Sequence, residues 1–320
     1  MGMSEIVVFS GSAHRELAEE ICSDLGVELS PTHIQRFSND CIQAQLRANC
    51  RQRDVYIVQP LVPPVQDHLV ELLLMLDAAR GASAAQITAV IPHYAYARSD
   101  KKDAPRISIG GRLVADLIST AGANRVLTMA LHAPQVHGFF SVPVDHLSAI
   151  AELALHFKGK DLSNTVVVSP DLGNAKPATQ FARILGVPVA AGSKRRLADD
   201  TVVIDAIVGD VAGKDVVVLD DEIATGGSVV ELLDVLHRAG VRRVALACTH
   251  GLFTGPAIER LSSRSDIDEV ITTNTLPQGD HYALPNLEVR SIAPLFADAI
   301  GRIHRGESVS SLLSDTVTHG

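Results

Sequence analysis

The chain has 320 residues, 46% hydrophobic and 20% charged, which suits two ordinary domains with separate apolar cores and is too apolar for disorder. A formal net charge of −9, 4% aromatics and no Trp exclude general binding of nucleic acid or acidic membranes, though not a small local anion site. The four cysteines, Cys22, Cys41, Cys50 and Cys248, form no CxxC pair and read as reduced thiols.

The first segment, MGMSEIVVFSGS, has no basic region ahead of its short apolar run, and no later stretch approaches the roughly 20 apolar residues of a membrane span. A cytoplasmic protein is therefore expected. Further along, the chain repeats itself. Leu25-Gly26-Val27 returns as Leu185-Gly186-Val187, an offset of 160. DVYIV at 54–58 returns as DVVVL at 215–219, an offset of 161, and VELLLMLDAARGA from Val70 returns as VELLDVLHRAGV from Val230. Three matches at nearly one offset indicate a duplicated domain of about 150 residues.

In the second copy, VVVS (166–169), DVVVLDD (215–221) and RVALACTH (243–250) are continuous apolar runs, as expected of strands buried on both faces of a parallel sheet. Between the last two, residues 228–239 place Val229, Leu232, Leu233 and Leu236 on one helical face and stop before Gly240. Strand, helix, strand of this kind predicts an α/β fold of βαβ units, a parallel sheet flanked by helices in each copy. Ligands bind such sheets at the carboxyl ends of the strands.

One strand end carries the strongest chemical signal. VVVLDD runs into EIATGGS and then into a helix. Asp220 and Asp221 can accept from vicinal hydroxyls. The turn through Ala224, Thr225, Gly226, Gly227 and Ser228 can converge backbone N–H groups and hydroxyls on an anion at a helix N-terminus. The plainer alternative is that Asp and Ser only cap the helix. With the 161 offset, Asp220 and Asp221 correspond to Gln59 and Pro60, so the first copy has lost its acidic pair.

The strand-Asp-Asp-turn block resembles the phosphoribosyl-diphosphate fingerprint of type I phosphoribosyltransferases. Two copies with one sugar site look like the ribose-phosphate diphosphokinase family. The resemblance covers nearly the whole chain. It rests on RFSND (36–40), PPVQDHLVELLLMLDAARGASA (63–84), AVIPHYAYARSDKK (89–102), LHAPQVHGFF (131–140), VVVSPD (166–171), KRR (194–196) and GESVSSLL (306–313), besides the fingerprint itself. It implies two tandem type I phosphoribosyltransferase-like domains, residues 1–149 and 150–320, with a final helix around 293–306 packing back on the first.

The same resemblance implies diphosphoryl transfer from ATP to the 1-hydroxyl of ribose 5-phosphate, with Mg2+. It gives Asp220 and Asp221 to the ribose hydroxyls and residues 224–228 to the 5-phosphate. Phe37, Asn39, Asp40 and Cys41 form one wall of the nucleotide site; Arg98, Ser99 and Asp100 form the other. His132 and Asp171 match metal-site residues. Lys194 and Arg196 match catalytic cations on a closing loop, although by spacing alone SKRRLADD is an exposed basic turn. A homo-oligomer, often a hexamer, is implied as well, with the nucleotide site completed by a neighbour.

The sequence departs from the family pattern in four places. Cys41 stands where an acidic side chain is expected, and Ala130 where an Asp usually precedes the metal-site His. Leu172-Gly173-Asn174 replaces HGG, and Ala224 replaces the commoner Asp. The departures at Cys41 and Ala130 keep two alternatives open: a non-catalytic regulatory homologue, and a phosphoribosyltransferase, against which the duplication argues.

Overall fold

The computed structural model describes residues 5–171, 173, 175–196, 202–279, 284 and 286–313. The chain divides into two compact units, Met1–Ser148 with Thr275–Pro277 and Ile292–Gly320, and Ala149–Asn274 with Gln278–Ser291.

In the first unit the strands are β1 (Ile6–Ser10), β2 (Leu29–Ser30), β3 (Thr32–Arg36), β4 (Ile42–Leu46), β5 (Asp54–Val58), β6 (Gln86–Ile91), β7 (Arg125–Met129) and β8 (Val144–Leu147). Six of them form a parallel sheet in the order β2-β1-β5-β6-β7-β8. The remaining two, β3 and β4, pair as an antiparallel hairpin. Helices α1 (Arg15–Leu25), α2 (Val65–Gly81) and α3 (Gly110–Ala121) follow β1, β5 and β6.

The second unit holds β9 (Thr165–Ser169), β10 (Val189–Arg196), β11 (Val202–Val208), β12 (Asp215–Ile223), β13 (Arg243–Gly251), β14 (Ile267–Thr273) and β15 (Leu287–Arg290). Its sheet order is β11-β10-β9-β12-β13-β14-β15, parallel except where β11 pairs antiparallel with β10. Without β11, the two sheets have the same order and direction, so the duplication is visible as topology. Asp54 lies opposite Ile6 and Asp215 opposite Thr165, which aligns the two copies strand by strand.

Burial explains why these strands read as unbroken apolar runs. Val216 and Val218 of β12 face a core with Val229, Leu232, Leu233 and Leu236 of α6 (Gly227–Arg238), preceded in the chain by α4 (Ile150–Leu155) and α5 (Ala175–Leu185). Val217 and Leu219 point the other way, to Leu153 of α4, to Phe157, and to Phe181 of α5. The rings of Phe157 and Phe181 meet edge to face with centroids 5.9 Å apart. No helix among the described residues is long and apolar enough to cross a membrane.

After α7 (Ala257–Ser262), the helix α8 (Ala293–Arg305) belongs to the first unit and packs on α1. Pro294 in its first turn removes a donor that would have no helical partner, and Gly306 ends it in the left-handed conformation at φ 69°. Its buried face, with Phe296, Ala297 and Ile300, closes over the sheet, and the Tyr56 hydroxyl reaches the Ile300 carbonyl at 3.5 Å. Nearby, His304 Nδ1 lies 2.8 Å from Asp54 Oδ2, both side chains largely buried. Replacing His304 by Ala leaves the Asp54 carboxylate buried without this partner, and a loss of about 1–3 kcal/mol is expected from denaturant melts of the variant.

Candidate functional site

The geometry of the second unit is clearest at the end of β12. The strand continues to Ile223 because pairing with β13 continues, Asp220 opposite Cys248 and Glu222 opposite His250. Strand alternation puts Asp220 on the same face as Val216 and Val218, and the Asp221 N–H donates to Asp220 Oδ1 at 2.9 Å. Burial, then the adjacent Asp221 carboxylate and more remotely Asp171, push the Asp220 pKa well above the carboxylate range. Burial also pushes the Cys248 thiol across from it up to about 12, so this cysteine is a packed, unreactive group.

The turn from Ala224 to Ser228 is held by its carbonyls. The Leu252 and Phe253 N–H groups donate to the Ile223 carbonyl, and the Thr254 N–H to that of Ala224. Arg260 Nη1, from α7, donates to the Thr225 carbonyl at 3.0 Å. Gly226 is the residue before α6 and has φ 73°, a conformation that costs other residues roughly 1–2 kcal/mol. A Cβ there would meet only ordinary contacts from 3.7 Å, so the glycine answers a demand of backbone angle and not of space.

The N-cap residue of α6 is Gly226, which has no side chain to cap the helix, and the first turn has no acidic residue. Among the described residues, the N–H groups of Thr225, Gly226, Gly227 and Ser228 find no backbone carbonyl, while Thr225 and Ser228 are exposed. The arrangement is a helix N-terminus, a place favourable to negative charge, close to two carboxylates and with the Arg260 guanidinium on the turn's carbonyl. Arg260 carries no sequence signal of its own. It joins the turn only because α7 folds back under it.

Asp171, half-buried, follows β9, and its carbonyl accepts from Ser169 Oγ at 2.6 Å. Its neighbours Leu172 and Asn174 lie outside the described residues. Lys194 and Arg196 lie on β10 with their backbones opposite Ile204 and Val202 of β11; their side chains lie outside the described residues. The backbone there is a paired strand up to Arg196, where spacing alone reads an exposed turn. Antiparallel pairing with β11 supplies the order that local composition does not show.

The first unit positions the other candidates. Phe37, Asn39, Asp40 and Cys41 form the tip of the β3–β4 hairpin, closed by Phe37 N–H to the Cys41 carbonyl at 2.9 Å. Asn39 Oδ1 accepts from the Cys41 N–H, and Asp40 has φ 70° with its carboxylate 2.6 Å from Arg36 Nη1. Arg36 also reaches Asp67 at 2.5 Å, which braces the hairpin against α2. Phe37 is 43% exposed, and Cys41 is an exposed free thiol.

Arg98, Ser99 and Asp100 follow β6 through a 3-10 turn (Ala95–Arg98). Arg98 is exposed, whereas Ser99 is anchored: its hydroxyl accepts from Gly110 N–H at 2.9 Å and its carbonyl from Gly111 N–H. Asp100 accepts from Gln135 Nε2 at 2.6 Å, which ties this loop to the segment after β7. His132 is exposed in that segment. Two residues before it, Ala130 has φ 43°, a left-handed conformation that Asp or Asn adopts more readily than Ala.

Magnesium takes oxygen ligands, usually one or two carboxylates, with substrate phosphates and water supplying the rest. Among the described residues, no group of three or more His, Cys, Asp or Glu side chains could hold a metal ion alone. The residue types fit a substrate-borne cation: Asp171, Asp220 and Asp221 offer hard oxygen donors, and their carboxyl groups are close enough to interact.

Two repeated α/β units, one with an acidic pair followed by a glycine turn and a helix start, define a two-domain protein of the phosphoribosyltransferase fold. Residues 6–122 match the N-terminal domain of ribose phosphate pyrophosphokinase, and residues 202–314 the phosphoribosyl synthetase-associated domain. A putative ribose-phosphate pyrophosphokinase of Streptomyces coelicolor is 65% identical over 310 residues, covering 97% of this chain and 98% of that protein. The ribose-phosphate pyrophosphokinase of Deinococcus radiodurans is 51% identical over 316 residues, covering 97% and 98%. The crystal structure of phosphoribosylpyrophosphate synthetase from Mycobacterium smegmatis superposes with TM-score 0.88 at 38% identity, covering 95% of this chain and 100% of that one. The chain belongs to the ribose-phosphate pyrophosphokinase family.

The electrostatics of Asp220 generate a stability prediction. A carboxyl whose folded-state pKa is raised keeps a proton that the unfolded chain has already released. Its stabilising contribution is present below the ordinary carboxylate pKa and lost as pH rises through the raised value. At neutral pH, Asp220→Asn should therefore raise the melting temperature of the ligand-free protein, by about 2 °C or more. The same variant should weaken ribose 5-phosphate binding in a calorimetric titration.

Proposed function

We propose that the chain is a ribose-phosphate diphosphokinase, joining ATP and ribose 5-phosphate to give 5-phosphoribosyl 1-diphosphate and AMP. The observation that carries this reading is the start of α6 at left-handed Gly226, closely following the Asp220-Asp221 pair. A 5-phosphate fits the N–H groups of residues 225–228, and vicinal ribose hydroxyls fit the two carboxylates.

In this mechanism Asp220 and Asp221 accept hydrogen bonds from the 2- and 3-hydroxyls and fix the sugar so that its 1-hydroxyl faces the nucleotide. The hydroxyl oxygen attacks the β-phosphorus in line. The bond from that phosphorus to the bridging oxygen breaks, AMP departs with the oxygen, and the hydroxyl proton passes to solvent. Lys194 and Arg196 stabilise the charge that grows in the transition state, and positioning supplies much of the remaining acceleration. Phe37, Asn39, Asp40 and Cys41, with Arg98, Ser99 and Asp100, hold the nucleotide. In this role Ser99 sets the loop and the start of α3 through its contacts to Gly110 and Gly111, leaving Arg98 as the exposed cation for polyphosphate.

His132 and Asp171 are the assigned residues toward Mg2+, His132 through water. When bound, the ion neutralises charge on the triphosphate oxygens and orients the transferring group. A cytoplasmic homo-oligomer, of hexameric type, completes the proposal.

Phosphorus NMR on the protein with ATP, magnesium and ribose 5-phosphate should show AMP and the 1-diphosphate sugar rising in equal amounts. ADP or orthophosphate as product would instead mean kinase or hydrolase chemistry. Binding of the sugar phosphate without turnover would favour the regulatory homologue. Lys194→Ala should cut turnover by about 100-fold or more with ribose 5-phosphate affinity nearly intact, whereas Asp220→Ala should weaken that affinity too. Equal loss of affinity in both would contradict these roles. Cys41→Glu tests the nucleotide loop: unchanged apparent ATP affinity and turnover would mean that the cysteine is functionally silent.

A further inference from the structure

The duplication leaves a second copy of the ligand-binding end in the first unit, and its contents are unexpected. Gln59, the counterpart of Asp220, is fully buried. Its Nε2 donates to Glu71 Oε1 at 3.0 Å and its Oε1 accepts from the Ala13 N–H at 3.1 Å. Glu71, from α2, is 3% exposed. Its Oε1 accepts from the Ser12 N–H, and its Oε2 from the Ser12 hydroxyl at 2.7 Å. These donors come from the loop between β1 and α1, and no side chain of the residue before α1 caps that helix.

We infer that the first unit retains an anion-binding loop and that the Glu71 carboxylate occupies it as a built-in ligand, closing the site to free anions. Three donors from two elements converge on one carboxylate next to a helix start, the arrangement that binds a small carboxylate or a phosphate oxygen elsewhere. Gly11 shows how tightly the group is fitted: a Cβ there would lie 2.3 Å from Gln59 Oε1 and 2.6 Å from Glu71 Oε1.

The second copy supplies the contrast. By the 160 offset Glu71 corresponds to Glu231, which is exposed on α6. Strand register makes Asp171 the counterpart of Ser12. A glutamate turned inward there would meet the carboxylates of Asp171 and Asp220, which repel it. In the first unit it meets a hydroxyl and an amide, which donate to it. The two exchanges, Gln59 for Asp220 and Ser12 for Asp171, together turn one and the same glutamate from a solvated group into a ligand. Pro64, standing where the second copy has Thr225, also removes one N–H donor from the companion turn.

The test is chemical rescue of Glu71→Ala. Formate is the probe, because phosphate has another seat at residues 224–228. The variant should melt well below the wild type in chloride, with a folding equilibrium constant lower by about tenfold or more. Replacing chloride by formate at equal ionic strength should then raise its melting temperature by about several degrees and leave the wild type unchanged. An equal response of the two proteins overturns the inference. The isosteric Glu71→Gln supplies a second, independent check that does not require Glu71→Ala to fold. It keeps the shape and removes the charge, so a melting temperature equal to the wild type also overturns it.

Discussion

Parallel strands release their carboxyl ends on one side of a sheet, and whatever stands on those ends must be satisfied without a neighbouring turn to hide it. In this chain the constraint falls twice on the same position, and each unit meets it with opposite chemistry. At the end of β12 it is an acidic pair whose ionisation opposes burial. At the end of β5 it is a neutral amide with internal partners. The loops, the helix starts and the use of glycine around each strand end follow from that choice.

The acidic version is a cost the ligand-free fold carries. Burial and the neighbouring carboxylates both oppose ionisation of Asp220. The turn after it is fixed through its carbonyls, which accept from the Leu252, Phe253 and Thr254 N–H groups and from Arg260.

The sequence was most readable where burial is two-sided. DVYIV and DVVVL are strands from their first residue because both faces are covered, and the helix expected at 228–239 runs from Gly227 to Arg238. The repeat made two similar parallel sheets legible, while their strand order is a finding of the structure. The β3–β4 hairpin was not legible as such, since its half-exposed residues lack a clean alternation and its register depends on Arg36 holding Asp40 and Asp67. Lys194 and Arg196 were named through the resemblance, but the strand that carries them was not legible: a basic tripeptide looks like a surface turn unless its partner strand is known. Glu71 was in view as part of the repeat, but its burial depends on what stands opposite, and the differences at Gln59 and Ser12 carry that information.

The first unit is encoded on both sides of the second. Its sheet is encoded by residues up to Leu147, yet α8, which covers α1 and partners Asp54 and Tyr56, comes only after the whole second unit. A chain emerging from the ribosome therefore carries an incomplete first unit, with part of its apolar surface uncovered, through the making of about 140 further residues. The later unit, whose own segment is nearly continuous, can close before the earlier one. Vectorial synthesis thus runs against the order of the sequence, and the interval before α8 appears is when this protein most needs protection from aggregation.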